Sequence, residues 1–331
     1  MSKSFRHFIL LVVFILPASH AEAQKSGCTD RLAVNYDLSA TINDGSCRYK
    51  KVTIGPLASL TLSDTLAETS GLIFWENYFW THNDNSDTKL YALDTLYAGV
   101  VKNYPLSSIT NTDWEEFTQD DGYIYIGDFG NNSGNRNDLK IFRAAKNSIL
   151  NYSPVFDSVC FTYSGQADFT PGAYKTDFDC EAFIVARDSI YLFTKQWSGK
   201  GTSVYSLPKD PGNHVAKLRS SFNVKGLITG AVYLEEQRII VLSGYNKRLK
   251  PFLYLLYDFS SPDFFSGNKR KIKVLLPFYQ IESITTTNGL KYFVTNEYFS
   301  AFSIVKIPQQ IHLFELSPFL GNYLNTLISH P

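Results

Sequence analysis

The feature that most constrains the fold of this chain is a block of 17 to 19 residues that occurs five times after Val52. Each block opens on a polar or acidic residue, continues as a short strand, turns, and continues as a second strand rich in Tyr, Phe and Ile. The blocks read ETSGLIFWENYFWTHND, WEEFTQDDGYIYIGDFG, CEAFIVARDSIYLFTKQ, ITGAVYLEEQRIIVLSGYN and IESITTTNGLKYFVTNE. Internal repeats of this kind indicate that one small structural unit is used several times.

Further strand-like segments follow the blocks. The predicted third strands are KLYALD, LKIFRA, TSVYSLP, FLYLLYDF and AFSIVKI, and the predicted fourth strands are VVKNYPL, DSVCFTY, KLRSSFNV and KIKVLLP. Aligned positions recur at intervals of 45, 66, 48 and 53 residues, and an insertion around 164–177 explains the longest interval. Because four-stranded propeller blades run ~40–50 residues, the pattern predicts an all-β fold with five propeller blades. Six blades rank second and an open sandwich third.

The fifth block lacks a fourth strand before the C-terminal tail. The segment VTIGPLASLTL, which begins at Val52, is the candidate to supply that strand, because closing the ring removes exposed sheet edges. We therefore place the propeller at residues 51–310 and a tail at 311–331. The tail segment IHLFELSPFLGNYLNTLI is expected to form a short helix against the side of the propeller.

Composition agrees with a large β-rich globule and narrows the choice of partners. Aromatic residues make up 15% of the chain, and such residues are enriched in strands. Lys+Arg and Asp+Glu are both 31, so no net charge draws the chain to nucleic acid or to an anionic membrane. No transmembrane segment is predicted, because no apolar run reaches the ~20 residues that span a bilayer. The sequence gives no prediction of oligomeric state.

The first 23 residues have the features of a secretory signal peptide. Lys3 and Arg6 precede the apolar run FILLVVFILP, and Ala21-Glu22-Ala23 matches an A-x-A cleavage site. We therefore expect the protein to be exported, to the periplasm or out of the cell. An even number of cysteines outside the cytoplasm indicates disulfides. Cys28 and Cys47 bracket a short loop and should pair, which leaves Cys160 to pair with Cys180.

Residues 24–50 form a small cysteine-bounded module. The stretch GCTDRLAVNYDLSATINDGSCRY resembles a repeat of the form GCTDPxAxNYNPxAxxDDGSCxY found in secreted proteins of Bacteroidetes. Asp30, Asp37, Asn43 and Asp44 offer oxygen ligands within it. Two interpretations follow, a disulfide-tied spacer and a calcium-binding loop, and the spacer ranks first.

One oxygen-bearing side chain stands at the aligned start of each inner strand. These positions are Ser70, Glu115, Glu181, Thr229 and Glu282, with Glu68 as a substitute or support for Ser70. In a propeller such positions face the central channel, where three carboxylates repel one another unless they are protonated or neutralised. A cation resolves that repulsion, with calcium first and sodium or magnesium as alternatives. The competing interpretation is that the carboxylates meet water in a wide channel.

The motifs ETSG, HND, DWE, GDxGN, EA and ES resemble a family of secreted bacterial propellers of unassigned activity, over most of residues 66–307. More distantly, one oxygen per blade is similar to the calcium-activated nucleotidases (apyrases), which are five-bladed propellers with an axial calcium. That resemblance implies Ser, Glu, Glu, Ser and Glu as calcium ligands, which correspond here to Ser70, Glu115, Glu181, Thr229 and Glu282.

The loops after the second strands should gather at the mouth of the channel. The candidate ligand-binding residues on these loops are Asp84, Asp128, Lys195, Trp197, Tyr245, Arg248 and Glu297. Two functions follow. The first is a non-catalytic propeller whose mouth binds a small molecule, a glycan or a protein. The second is a calcium-dependent hydrolase of phosphoanhydrides or phosphoesters, in which the metal polarises a phosphoryl oxygen. The first is preferred, since the sequence contains no recognisable catalytic motif.

Overall fold

The structure is a computed structural model that describes residues 24–301 and 305–329. The predicted signal peptide, residues 1–23, lies outside the described residues. The N-terminal module comes first, and in it Ser26–Gly27 (β1) pairs in parallel with Ile42–Asn43 (β2). The predicted disulfide between Cys28 and Cys47 is confirmed.

The module is attached to the rest of the chain by side chains that were candidate calcium ligands. The carboxylate of Asp30 accepts hydrogen bonds from the hydroxyls of Tyr49 and Tyr257. The side-chain amide of Asn43 donates to the carboxylate of Asp258, at 2.8 Å. Because these oxygens and amides hold the module against its neighbour, the contacts favour the spacer interpretation.

Four-stranded antiparallel sheets make up most of the chain. Two short strands precede them, Val52–Ile54 (β3) and Ala58–Thr61 (β4). The first sheet contains Thr69–Trp75 (β5), Tyr78–Asn83 (β6), Lys89–Leu93 (β7) and Val100–Pro105 (β8). The second contains Trp114–Gln119 (β9), Tyr123–Asp128 (β10), Lys140–Ala145 (β11) and, after the short helix Lys146–Leu150 (α1), Phe156–Tyr163 (β12).

The third and fourth sheets follow the same order along the chain. The third contains Asp179–Ala186 (β13), Ser189–Lys195 (β14), Thr202–Pro208 (β15) and Gly212–Phe222 (β16). The fourth contains Leu227–Leu234 (β17), Ile239–Tyr245 (β18), Pro251–Tyr257 (β19) and Asn268–Val274 (β20). Two parallel pairings extend the outer edges, since β12 pairs with β16 and β3 pairs with β20.

The fifth sheet joins the two ends of the chain. Its strand order is Ile281–Thr286 (β21), Lys291–Asn296 (β22), Gln310–Glu315 and β4. The prediction that the segment from Val52 supplies the closing strand is confirmed by the antiparallel pairing of β4 with Gln310–Glu315. The predicted third strand AFSIVKI is wrong, because Phe299–Ala301 (β23) and Val305–Ile307 (β24) pair only with each other in a separate hairpin.

The C-terminal segment is therefore part strand and part helix. Gln310–Glu315 (β25) belongs to the fifth sheet, so the sheet extends beyond residue 310, where the sequence placed the end of the propeller. The helix Ser317–Ser329 (α2) follows, and Phe319 and Leu320 are buried in the cluster that packs against the fourth and fifth sheets. Within the described residues, no helix has the length and apolar character needed to cross a bilayer.

The first strands of the sheets, β5, β9, β13, β17 and β21, contact one another in that order, and β21 returns to contact β5. The spaces between neighbouring sheets are filled by apolar side chains. Trp114 at the start of the second sheet, for example, is fully buried with Trp80 and Ile73 of the first. Sheets arranged in a ring around a channel define a β-propeller. The predicted all-β propeller fold is confirmed.

The predicted disulfide between Cys160 and Cys180 is absent, and both thiols are free. Cys180 lies at the start of β13 in the core between the second and third sheets, where Val159 and Phe161 of β12 also pack. Because successive side chains of a strand point to opposite faces, Cys160 points away from that core. The prediction paired Cys160 with Cys180 only because they were the two remaining cysteines, and did not consider which face of its strand each side chain occupies.

Candidate ligand site at the channel mouth

A register shift interrupts every inner strand at or beside the position that the sequence alignment singled out. The shifts fall in or next to the segments that contain Ser70, Glu115, Glu181, Thr229 and Glu282. An extra residue in one strand bends it and re-aims the local side chains. These bulges explain why the oxygen-bearing side chains at the starts of the inner strands point into the channel, although the strands are otherwise apolar.

A cavity of about 550 Å³ opens at this end of the channel. Six acidic side chains line it, namely Asp84, Asp113, Glu115, Glu181, Glu282 and Glu297. Of the predicted axial set, Ser70 also lines the cavity, whereas Thr229 does not. The hydroxyl of Ser70 donates to the backbone carbonyl of Glu115, and that of Thr229 donates to the carbonyl of Ile281. Both hydroxyls thus connect neighbouring inner strands.

The cavity contains a buried cation supplied by the chain itself. The ammonium of Lys195 forms an ion pair with the carboxylate of Glu181, and both side chains are almost fully buried. The same ammonium lies 4.9 Å from the ring centre of Trp197 and 5.7 Å from that of Tyr245. Five of the seven predicted mouth residues line this cavity, namely Asp84, Lys195, Trp197, Tyr245 and Glu297.

Burial and mutual repulsion raise the pKa of the acids in this cavity. Burial raises the pKa of Glu181, and the Lys195 ammonium opposes that rise and favours the ionised carboxylate. Burial raises the pKa of Glu115 well above its usual range, and the Glu181 carboxylate adds to the effect. Burial lowers the pKa of Lys195, but the surrounding carboxylates, Glu181 first, outweigh it and raise that pKa overall. Lys195 is therefore a permanent positive charge, and part of the acid set is protonated near neutral pH.

A second acidic group lies at the junction of the first and fifth sheets. Within residues 24–301 and 305–329, one acidic trio brings one carboxylate oxygen from each residue within 4.8 Å of the others: Glu68, Asp84 and Glu297. Burial, then repulsion by Glu68, raises the pKa of Asp84 to about 7. Burial, then repulsion by Asp84, raises the pKa of Glu297 to about 8. The amide of Gln280 donates to Glu297 at 3.1 Å.

The two candidate cation sites differ in how well they fit calcium, which takes 6–8 oxygen ligands. In the predicted axial set, Glu181 is already neutralised by Lys195, and both hydroxyl hydrogens are directed at backbone carbonyls. The trio Glu68, Asp84 and Glu297 offers three half-buried carboxylates that converge and have no lysine or arginine ion-pair partner among the described residues. The trio fits a hard cation better.

Asp113 was not singled out as a site residue from the sequence. It directly precedes β9 and lines the cavity, and burial followed by repulsion from Asp179 raises its pKa to about 6. Gly130 makes room for it, because a Cβ atom there would lie 2.3 Å from Glu115 Oε1 and 2.4 Å from the Asp113 carboxyl carbon. The sequence signal that could have identified Asp113 is the motif DWE at residues 113–115, followed by the glycine-rich loop that begins at residue 127.

Glu116 was also missed, and it connects three inner strands beneath the cavity. Its carboxylate is fully buried and accepts backbone hydrogen bonds from Leu72 (3.2 Å), Phe117 (3.1 Å) and Ala231 (3.3 Å). Those three donors belong to β5, β9 and β17. Burial raises the pKa of Glu116, and the three donors oppose the rise. Two adjacent glutamates in one strand could not be assigned separate roles from the sequence.

Two predicted mouth residues do not line the cavity. Asp128 is fully buried behind it, where its carboxylate pairs with Arg136 at 3.0 Å and accepts from the backbone N–H of Asp113 at 3.2 Å. It therefore holds a loop in place. Arg248 lines a different groove, beside β3 and β20. The β18–β19 loop lies between the two sites, because Lys247 and Leu249 line the channel-mouth cavity while Arg248 and Lys250 line the other groove.

No protein-family model and no curated protein matches this sequence. Among solved structures, the chain is similar to a GH43 enzyme from Xanthomonas citri, at 13% identity and a TM-score of 0.45 over 78% of this chain and 90% of that one. It is similar to a putative oxidoreductase (glucose dehydrogenase) from Thermus thermophilus, at 9% identity and a TM-score of 0.40 over 78% and 99%. It is also similar to the WD40 repeats of RRP9, at 8% identity and a TM-score of 0.35 over 74% and 67%. Similarities this low carry no information on activity.

Proposed function

We propose that this chain is an exported five-bladed β-propeller that binds a glycan in the channel-mouth cavity, beside a calcium ion. The observation that carries the proposal is the lining of that cavity. Six acidic side chains share it with aromatic side chains, among them Trp197, Tyr174 and Phe299. Sugars offer hydroxyl groups to acids and apolar ring faces to aromatics, so such a lining suits them.

The protonation of the acids supports an uncharged ligand. Burial raises the pKa of Glu115 and of Glu282 well above the usual range and favours their protonated forms, whereas the Lys195 ammonium favours the ionised form of Glu181. A protonated carboxyl group both donates and accepts hydrogen bonds. The ligand hydroxyls would therefore find both kinds of partner without a buried ligand charge.

The proposed calcium would be held by Glu68, Asp84 and Glu297 rather than by the predicted axial set. The three carboxylates supply hard oxygen donors of the kind that calcium prefers. When bound, the ion would neutralise their mutual repulsion and offer coordination to sugar hydroxyls. The rest of the proposed ligand site is the chain's own: Lys195 fixes Glu181, and Trp197 presents its ring.

The blade count and the export are parts of the same proposal. The five sheets, defined by inner strands β5, β9, β13, β17 and β21, are taken as the five blades. The disulfide Cys28–Cys47 supports an oxidising destination.

A hydrolase of phosphoanhydrides or phosphoesters is the second candidate. Lys195 and Lys247 both line the cavity and would attract phosphate. The six acids of the same cavity repel it, however, and for that reason the glycan is preferred.

A glycan array probed with the mature protein tests the proposal. We expect retention of a defined group of glycans in calcium and weaker retention in chelator. The variant Lys195→Met/Glu181→Gln removes the buried ion pair without leaving either charge alone, and should abolish retention. Lys200→Met is the matched control, because Lys200 lies on the loop that follows Lys195 but outside the cavity lining. Release of phosphate from ATP, with no glycan retained, would favour the hydrolase instead.

A further inference from the structure

A second groove lies beside β3 and β20, on the outer edge of the fourth sheet, and has a volume of about 740 Å³. Six basic side chains line it: Lys51, Lys225, Arg248, Lys250, Lys271 and Lys273. No acidic side chain is among its described lining residues. Below, this site is called the basic groove.

The positive charges of the basic groove are not compensated. None of the six basic side chains forms an ion pair within the described part of the chain. Burial lowers the pKa of Lys271 to about 8, and the charges of Lys225 and Lys273 add to the effect. In a chain whose total charge is zero, so many unpaired cations around one groove indicate attraction for an anion.

The floor of the basic groove is apolar. The ammonium of Lys271 lies 3.5 Å from the ring centre of Phe252 and donates to the backbone carbonyl of Val224 at 2.6 Å. Val52, Val274 and Leu276 also line the groove. Leu275, which also lines the groove, is 64% exposed, and Phe278, which follows the lining residue Pro277, is 55% exposed. Exposed apolar side chains next to a cluster of cations are typical of surfaces that bind anionic lipid.

We propose that the basic groove binds anionic lipid, with the phosphate group on the rim cations and the acyl chain along the apolar floor. The balanced charge of the whole chain argued against an anionic membrane, but that balance conceals a local excess of positive charge. The site is separate from the channel mouth, so the proposal is independent of the glycan site. A soluble polyanion would pair with the basic side chains of the rim but would make no use of the apolar floor or of Leu275.

Co-sedimentation with lipid vesicles tests the proposal. We expect the mature protein to bind vesicles of phosphatidylcholine with phosphatidylglycerol, to lose that binding at high salt, and to ignore vesicles of phosphatidylcholine alone. The variant Arg248→Gln/Lys250→Gln/Lys273→Gln removes three exposed, unpaired charges and should bind roughly 150-fold more weakly, since each cation near an anionic surface contributes about 1 kcal/mol, or about a fivefold factor. Lys102→Gln/Lys217→Gln/Lys291→Gln removes the same charge outside the groove lining and should bind as wild type does.

The variant Leu275→Ser separates lipid from other anions. Weaker binding to vesicles, with unchanged retention on a soluble polyanion such as dextran sulfate, supports the lipid. Equal vesicle binding by wild type and Leu275→Ser, with strong binding to dextran sulfate, overturns the lipid in favour of a soluble polyanion. No binding of wild type to anionic vesicles at low salt overturns the proposal outright.

Discussion

The ammonium of Lys195 pairs with the carboxylate of Glu181 inside the channel mouth, where the two side chains are only 6% and 4% exposed. The second carboxylate oxygen, Glu181 Oε2, has no hydrogen-bond partner among the described residues. A buried polar atom without a partner is unfavourable and rare. The pairing with Lys195 is therefore the interaction that stabilises this buried carboxylate.

The acidic trio predicts an unusual dependence of stability on pH. Burial raises the pKa of Glu297 from 4.5 to about 8, so between these values the folded chain keeps a proton that the unfolded chain has released. The contribution of Glu297 to the free energy of unfolding is therefore greatest below pH 4.5 and is lost as the pH rises toward 8. In chelator, we expect Glu297→Gln to melt above wild type at pH 8, by roughly 2–4 °C for each kcal/mol relieved, and close to wild type at pH 5.

Glu236→Gln is the control for that experiment, because Glu236 is exposed and outside the trio. Calcium should raise the melting temperature of wild type at pH 8 and have a smaller effect on Glu297→Gln. A calcium effect of equal size in both proteins would contradict the trio as the cation site.

Glu116 should be among the most sensitive positions for stability. Glu116→Ala removes the buried carboxylate that accepts hydrogen bonds from the backbone N–H groups of Leu72, Phe117 and Ala231. Each such group costs ~1–3 kcal/mol, so we expect a loss of about 3–5 kcal/mol in the free energy of unfolding, measured in urea. Glu236→Ala should change it by less than about 0.5 kcal/mol. A loss that small at Glu116 would show that the carboxylate does not connect the strands.

Gly130 should be required for the shape of the cavity. In Gly130→Ala the new methyl group would lie 2.3 Å from Glu115 Oε1, so the acidic wall must shift. Overpacking of this kind costs about 1–3 kcal/mol, and glycan retention should fall with it. Gly55→Ala is the control, because a Cβ atom there has nothing within 4 Å. Wild-type retention and stability in Gly130→Ala would contradict the described wall.

The cysteines predict a defined thiol count. Alkylation of the unfolded, non-reduced mature protein should modify Cys160 and Cys180 and leave Cys28 and Cys47 unmodified. Cys28→Ser/Cys47→Ser should loosen the N-terminal module, by about 3 kcal/mol for a loop of this length. Mass spectrometry after alkylation reads the result. Detection of two peptides linked by a disulfide between Cys160 and Cys180 would contradict the free thiols of the structure.

The repeat made the inner strands predictable, because each block combines an oxygen-bearing start with two apolar strands. The positions Ser70, Glu115, Glu181 and Glu282 reach the cavity for that reason. The repeat could not show that Lys195, on the second strand of its sheet, folds back onto Glu181 of the first. That contact depends on the pairing of β13 with β14 and on the bulge at Glu181.

Other features had no local signal. The third strand of the fifth sheet is β25 rather than AFSIVKI, because the hairpin β23–β24 interrupts the repeat there. Arg248 is near Tyr245 in sequence, yet the turn between them carries it to the basic groove. The path of such a loop depends on tertiary contacts, which the hydrophobic pattern of the sequence does not encode.

The central claim is that the ligand binds in the cavity organised by Lys195. Isothermal titration calorimetry with a glycan retained on the array tests it directly. We expect one site per chain in wild type and in Lys200→Met, and no measurable heat for Lys195→Met/Glu181→Gln when circular dichroism shows that it is folded. Equal affinity of wild type and the folded double variant would place the ligand elsewhere and contradict the account.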